Sequence, residues 1–392
     1  MTAFELPTAP TRISARLKSG TELQLVRDKV EAGERLDLED GLALLESDDL
    51  LAIGELADRA RRVRGGDDRV YFIQNLYLYQ TNVCRVKCKF CAFAATQKQE
   101  HAYTLTPDEF VAEAVAQRAL NPYTEIHLVN GENPHVSFDY YRGTIAKLHE
   151  ALPDVFLKCY TASEIHHMTT LSGLSHEQVL RELQAAGLGA LTGGGAEVFA
   201  DRVRRLVAPG KEHPDIWFHV HDTAHRLGMP THCTLLYGHI ETYEERIDHL
   251  LRLREQQDRT GGFLAFVPLA FHPANTVFER RGFTFQTGAA DLKMIAVSRL
   301  MLDNVPNIKA YWISLTLPVA QVALHFGAND VQGTLVREEI FKAAGSTAGQ
   351  EQKLEELVFT VQSAGRIPVQ RDTLYNELRR WEGVGSPEPS IN

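Results

Sequence analysis

"RVYFIQNLYLYQTNVCRVKCKFCAF", residues 69 to 93, runs from an apolar and aromatic stretch directly into a loop that holds three of the chain's five cysteines. The first half has the composition of a strand, and the second half places Cys84, Cys88 and Cys91 at C-x3-C-x2-C spacing at its end. That spacing lets one short loop fold around three corners of a cubane iron–sulfur cluster, for which soft thiolates are the suitable ligands. Ordinary electron-transfer clusters take four cysteines. Three leave one iron open, and an open iron can bind the amine and carboxylate of a substrate. Two plainer readings stand beside this one. Three inert structural cysteines would be buried, yet Arg85, Lys87 and Lys89 within the motif belong at a wet mouth. A zinc site could recruit His101 as a fourth ligand, although structural zinc normally takes cysteines in C-x2-4-C pairs. Cys159 and Cys233 stand singly in other strand-like runs and fit small core residues.

Working outward, seven further strand-like runs follow the first: residues 125–131, 155–162, 189–195, 230–238, 262–271, 308–315 and a weaker "ANDVQGT" at 328–334. Helical punctuation separates them. Ser175 with Gln178 and Thr242 with Glu245 match capping boxes, Gly187 and Gly228 suit C-terminal caps, and Pro318 suits a first helical turn. Strands that alternate with helices and are apolar along most of their length imply a parallel sheet, and eight such units imply an α/β fold closed into a (β/α)8 barrel. The barrel spans residues 66–345, after a helical extension over 1–65 and before a C-terminal helix and polar tail over 346–392. The cysteine loop then follows the first strand at its C-terminal end, the face where barrels of this kind build their sites.

Composition bounds the partners. A chain of 392 residues, 44% hydrophobic, is long enough for such a barrel plus extensions. A net charge of −10 does not supply the basic face that nucleic-acid phosphates require, so small molecules are the expected partners. No apolar run reaches the ~18 residues of a membrane helix, and "MTAFELPTAPTR" lacks a signal peptide's basic and apolar regions. A cytoplasmic location with reduced thiols is expected, because five sparse cysteines do not form a disulfide framework.

The three-cysteine spacing, with the aromatic Phe90 before the last cysteine, is the signature of the radical S-adenosylmethionine (SAM) enzymes. That resemblance implies a 4Fe–4S cluster held by Cys84, Cys88 and Cys91, and SAM bound to its open iron. Asn130-Gly131-Glu132 ends the second strand, where the family often carries a Gly-Gly-Glu-like turn, and Glu132 is the expected acceptor for the methionine ammonium. Ser163 and Glu164 after the third strand, and "GGGAE" ending at Glu197 after the fourth, offer hydroxyl, carboxylate and bare backbone to a ribose and an α-carboxylate. The glycine run does not have the spacing of a dinucleotide fingerprint. His221 and His225, four apart on one helix without an intervening HExxH glutamate, fit a packed pair. His239 and His272, each just past a strand end, are candidate catalytic residues for proton transfer or anion binding.

From about Leu50 to Tyr375 the chain resembles one subgroup of this family, on "TNVC", "CKFCAF", "TASEI", "LTGGGAE", "AHRLGMPTHCTLLYGHIET" and "AQVALHFGANDVQGT". The subgroup contains aminofutalosine synthase, cyclic dehypoxanthinylfutalosine synthase and two deazaflavin-forming synthases. "PLAFHP" and "IKAYW" are most similar to the first of these. That resemblance implies a transferase of the futalosine route to menaquinone, in which the 5′-deoxyadenosyl radical adds to 3-[(1-carboxyvinyl)oxy]benzoate and a carboxylate carbon is lost. It also implies a low-potential electron donor such as a flavodoxin or ferredoxin. Arg85, Lys158, His239, His272 and Lys309 are candidate partners for the two carboxylates, with Phe271 and Trp312 against the ring. A rival of another class is a barrel whose cluster serves only electron transfer or a partner scaffold.

Overall fold

In the computed structural model, residues 20–63 and 67–382 are described. The outer parts of the expected N-terminal extension and C-terminal tail lie outside them. Helices α1 (Gly20–Ala32), α2 (Leu38–Glu46) and α3 (Leu50–Val63) form the N-terminal extension, and α2 starts at an Asp37–Asp40 capping box. Ten strands follow, with helices between most of them. They are β1 (Arg69–Ile73), β2 (Asn75–Leu78), β3 (Glu125–Leu128), β4 (Phe156–Cys159), β5 (Thr231–Tyr237), β6 (Phe263–Ala270), β7 (Asn307–Ile308), β8 (Asp330–Gly333), β9 (Ile367–Arg371) and β10 (Glu377–Arg380).

The barrel closes with parallel pairing throughout. β2 pairs with β3 and β3 with β4, and single bridges at Lys158–Ala190 and Leu191–Thr231 give residues 190–191 the fourth place. β5, β6 and β7 follow, Lys309 bridges to Asp330 of β8, and Val336 bridges back to Leu76 of β2. All eight runs read from the sequence therefore occupy the barrel in chain order. The helix signals also hold: Ser175–Gln178 and Thr242–Glu245 are formed capping boxes, Pro318 lies in the first turn of Leu317–Ala323, and Gly187 and Gly228 adopt positive φ.

Side chains alternate along the strands as the pleat requires. Ile126, Leu128, Leu157, Cys159, Cys233 and Leu235 are buried in the apolar layer, whereas Tyr77, His127, Lys158, His232 and Thr234 line the barrel's interior cavity. His221 and His225 are indeed a packed pair, both bonded to Thr231 Oγ1 at 2.9 and 2.8 Å.

Two features differ from the expectation. The first apolar run is two strands, because β1 diverges after Ile73 to join a second sheet in the order β10-β9-β1-β8. The C-terminal segment is a helix (Leu354–Ser363) followed by strands, where a helix and polar tail were expected. "IPVQR" is too polar at its end to announce a strand, yet its polar residues have partners under the barrel. Arg371 donates to Asp330 at 2.8 Å, Tyr375 donates to the same carboxylate at 2.7 Å, and Thr373 donates to Glu125 at 2.8 Å. Asp330 and Glu125 begin β8 and β3, so the C-terminal segment stoppers the barrel at the strands' N-terminal ends.

Candidate active site

The loop after β2 is fastened at several points before any cofactor is considered. Asn82 donates to the His101 carbonyl at 2.8 Å and accepts from the Tyr103 amide at 2.8 Å, while the Cys84 amide donates to the Ala95 carbonyl at 2.9 Å. Within the motif the Cys91 amide donates to the Cys88 carbonyl at 3.1 Å. The Arg85 amide donates to the Glu132 carbonyl at 3.0 Å, which ties this loop to the turn after β3. Gly131 makes that approach possible, since a Cβ there would lie 2.4 Å from the Val83 carbonyl oxygen, beside Cys84.

Cys84, Cys88 and Cys91 are free thiols, half-buried, and all three face one cavity of about 300 Å³. Burial pushes the Cys88 and Cys91 thiols up, and Lys211 beside them opposes that effect. Thiols so placed favour ionisation only with a cationic partner, which suits ligation to iron. Among the described residues no three His, Cys, Asp or Glu side chains converge closely enough to hold a single metal ion. His101, the fourth ligand of the zinc reading, is exposed and does not line the cavity. Cys159 and Cys233 are fully buried away from it.

Beside the thiols lies a band of buried charge. Glu132 accepts from the Ser163 hydroxyl at 2.5 Å and pairs with Arg85 at 2.8 Å. The same hydroxyl lies 2.8 Å from Glu212. One hydroxyl proton cannot serve two carboxylates at once, and burial raises Glu132 above the usual carboxylate range. The trio therefore offers more acceptors than it has protons, an arrangement complementary to an ammonium group. Glu197, held at φ +47°, pairs with Lys211 at 2.5 Å, and the two side chains are nearly buried. Gly195, at φ +88°, presents bare backbone to the cavity one turn earlier. Glu164 has a different task from the one its position suggested. Both its oxygens are used, accepting from the Thr161 amide at 2.8 Å and the Asn130 amide at 2.9 Å, as the capping box of Ala162–Ser172. Burial raises its pKa to about 8.

The two candidate histidines separate. His272 lines the cavity, its Nε2 facing the Ser314 carbonyl at 2.9 Å, which makes Nε2 the N–H and leaves a lone pair on Nδ1. That Nδ1 is buried without a hydrogen-bond partner, and burial lowers the ring's pKa. His239 does not line the cavity. Gly238, at φ +96°, turns the chain, and the His239 ring is locked between the Ile240 amide (2.7 Å), Glu241 (3.1 Å) and the Phe271 edge. Lys309 is likewise spent, on Gln332 at 2.7 Å. Phe90 and Phe271 line the cavity as expected, while Trp312 donates to the Gly333 carbonyl at 2.9 Å and stays outside it. The cavity also takes in residues that the sequence did not single out: Tyr77, Tyr79, His127, Lys211, His232 and Glu338.

Two family models match, the radical SAM superfamily over residues 78–253 and the CofH/MqnC C-terminal region over residues 260–383. The chain is 46% identical over 361 residues to the aminodeoxyfutalosine synthase of Thermus thermophilus, covering 92% of this chain and 96% of that protein. The chain belongs to the aminodeoxyfutalosine synthase family of radical SAM enzymes. The synthase family has neighbours: the 5-amino-6-(D-ribitylamino)uracil–L-tyrosine 4-hydroxyphenyl transferase of Methanopyrus kandleri is 40% identical over 80% of this chain and 85% of its own. In fold the chain is similar to the hydrogenase maturase HydG of Carboxydothermus hydrogenoformans, with a TM-score of 0.71 at 18% identity over 91% of this chain and 81% of that one. Membership in the synthase family makes the chain an enzyme rather than an electron-transfer scaffold, and implies a 4Fe–4S cluster and SAM. The three cavity-facing thiols, with the acceptor-rich band beside them, fit both. No helix among the described residues is long and apolar enough to cross a membrane.

Proposed function

We propose that this enzyme joins the 5′-deoxyadenosyl group of SAM to 3-[(1-carboxyvinyl)oxy]benzoate, with loss of a carboxylate carbon, to give 6-amino-6-deoxyfutalosine in cytoplasmic menaquinone biosynthesis. The observation that carries this reading is the near full-length similarity to an aminodeoxyfutalosine synthase. When bound, the cluster supplies the electron, received from a flavodoxin or ferredoxin, that cleaves the sulfonium of SAM. The chain's own residues do the rest. Cys84, Cys88 and Cys91 hold the cluster, and Phe90 packs beside it. Glu132, with Ser163 and Glu212, accepts the methionine ammonium, and Glu197 with Lys211 faces the ribose. Tyr79, Phe271 and Phe341 wall the aromatic ring, and the His272 Nδ1 lone pair is free to accept a hydrogen bond from a water or substrate hydrogen at that wall.

Anaerobic turnover with adenosine-labelled SAM tests the reading. Label in an adduct that carries the benzoate ring is the expected result. Label recovered only as 5′-deoxyadenosine, with the enol-ether benzoate present, would overturn it and favour a hydrogen-abstracting relative such as the cyclic dehypoxanthinylfutalosine synthase. The 40% identity to a deazaflavin-related transferase supports a second trial with its tyrosine and ribitylaminouracil substrates.

Glu338 adds a pH signature. It accepts from Tyr79 at 3.2 Å and from the Ile340 and Phe341 amides, and burial raises its pKa to about 7. The carboxyl is neutral below that value and anionic above it, so a dianionic substrate meets repulsion as the pH rises. KM is expected to rise roughly ten-fold between about pH 6 and about pH 8, the effect of ~1.4 kcal/mol of repulsion. Glu338→Gln should flatten the profile, and an unchanged slope in that variant would remove Glu338 from the site.

A further inference from the structure

The cavity has two ends of different character. The three thiols stand at one, and at the other the inward-facing residues of β2, β3, β4, β5 and β8 form a floor. Tyr77, His127 and Lys158 lie side by side in register, and the His127 ring stacks on Tyr77 at 4.2 Å. Among the described residues, the fully buried ionisable cluster at this floor has three basic side chains, Lys158, Lys309 and Arg371, and two carboxylates, Glu125 and Asp330. Lys158 takes Glu125 at 2.6 Å and Arg371 takes Asp330 at 2.8 Å, which leaves Lys309 3.9 Å from a carboxylate already engaged. Burial and the neighbouring cations drive Lys309 well below its ordinary pKa. A buried ammonium held only by an amide oxygen and a distant, shared carboxylate is costly, and an anion arriving at the floor favours its charged form.

Two imidazoles that line the same cavity each keep one buried nitrogen without a partner. His127 Nδ1 and His232 Nε2 are buried and have no hydrogen-bond partner, although both residues line the cavity. Burial and the adjacent lysines hold both rings neutral, so each carries one N–H that it can turn to an acceptor. Unsatisfied buried imidazoles beside Lys158 and a lysine that lacks a close counter-ion describe a seat for a carboxylate.

We infer that the floor of the barrel is a carboxylate subsite, in which His127 and His232 donate to an acid group of the substrate above the basic cluster of Lys158, Lys309 and Arg371. The inference rests on the proposed reaction in one respect, that the substrate's second carboxylate lies remote from the carbon that meets the adenosyl group. The reacting carbon must stay near the thiol end, so the ring carboxylate is the one that reaches the floor. Tyr77, stacked on His127, then meets the edge of the ring. The subsite makes the acid a selection element: a ring lacking it leaves the two imidazole nitrogens unpaired.

Equilibrium binding to the reconstituted, SAM-loaded enzyme tests this without turnover, with 3-hydroxybenzoate and 3-hydroxybenzamide as the probes. Wild-type enzyme is expected to prefer the acid by about ten- to hundred-fold. His232→Leu and His127→Leu should each bring that preference to within about two-fold, with iron content and SAM affinity unchanged, and the Gln variants, which keep a donor, should be intermediate. Equal binding of acid and amide by the wild type overturns the subsite, as does a preference that survives in the four variants. Should a Leu variant not fold, its Gln counterpart and the wild-type preference still decide. Label in an adduct with no acid preference would sink the subsite and spare the reaction. A histidine-dependent acid preference without any adduct would do the reverse.

Discussion

Cys88→Ala yields a protein that holds no active cluster and turns over at background, and Cys84→Ala and Cys91→Ala do the same. The three thiols face one cavity from a single loop, and no further cysteine lines that cavity among the described residues. Residues that act as a unit fail together, so each single loss should match the triple loss. Cys159→Ala and Cys233→Ala are the controls. Both lie in the apolar layer, Cys233 Sγ 3.7 Å from the Ala265 carbonyl, and each should cost about 1 kcal/mol of stability while leaving iron and sulfide content intact. Iron analysis with the visible spectrum after anaerobic reconstitution checks all five. Full iron and turnover in Cys88→Ala would reject the ligand set.

Asp330→Asn should destabilise the fold by about 3–5 kcal/mol, although the side chain's shape is kept. Asp330 is fully buried, accepts from Arg371 and Tyr375 and also receives the Gln332 amide. Without that charge Arg371 would lose its only carboxylate partner within the fully buried cluster. Glu377→Gln is the contrast, since Glu377 pairs with Arg380 at 2.6 Å on an exposed strand, where a solvent-screened pair adds little, and the variant should unfold with wild type. Urea unfolding followed by tryptophan fluorescence reads both. A cost below ~1 kcal/mol for Asp330→Asn would mean that the floor charges are not held in common.

The parts legible in the sequence were those with a local signal. Apolar strand runs, capping boxes and the cysteine spacing each need only neighbours in the chain, and the barrel and its thiol loop followed from them. What needed three dimensions was lost. His239 sits one residue past Gly238, and the positive φ of that glycine turns the ring from the cavity towards Glu241, which no spacing records. His127 and His232 face inward through strand parity, visible only once a neighbour's direction is fixed. Lys211 and Glu212 lie in a short connection between two helices, without periodicity to mark them, yet they complete the charged band beside the thiols. Glu164 lines the cavity as its position suggests, but both its oxygens are engaged in capping a helix, a use that only the fold reveals.

The stopper formed by residues 371–375 sets an order of events at the ribosome. Glu125 and Thr373 are 248 residues apart, so at ~5–20 residues per second the carboxylate of β3 waits roughly 12 to 50 s for its partner to be made. Until then the nascent barrel is open at its base, with Asp330 and Glu125 wet and the inward histidines accessible from below. Closing the base is therefore among the last events of synthesis, after every barrel strand has been made.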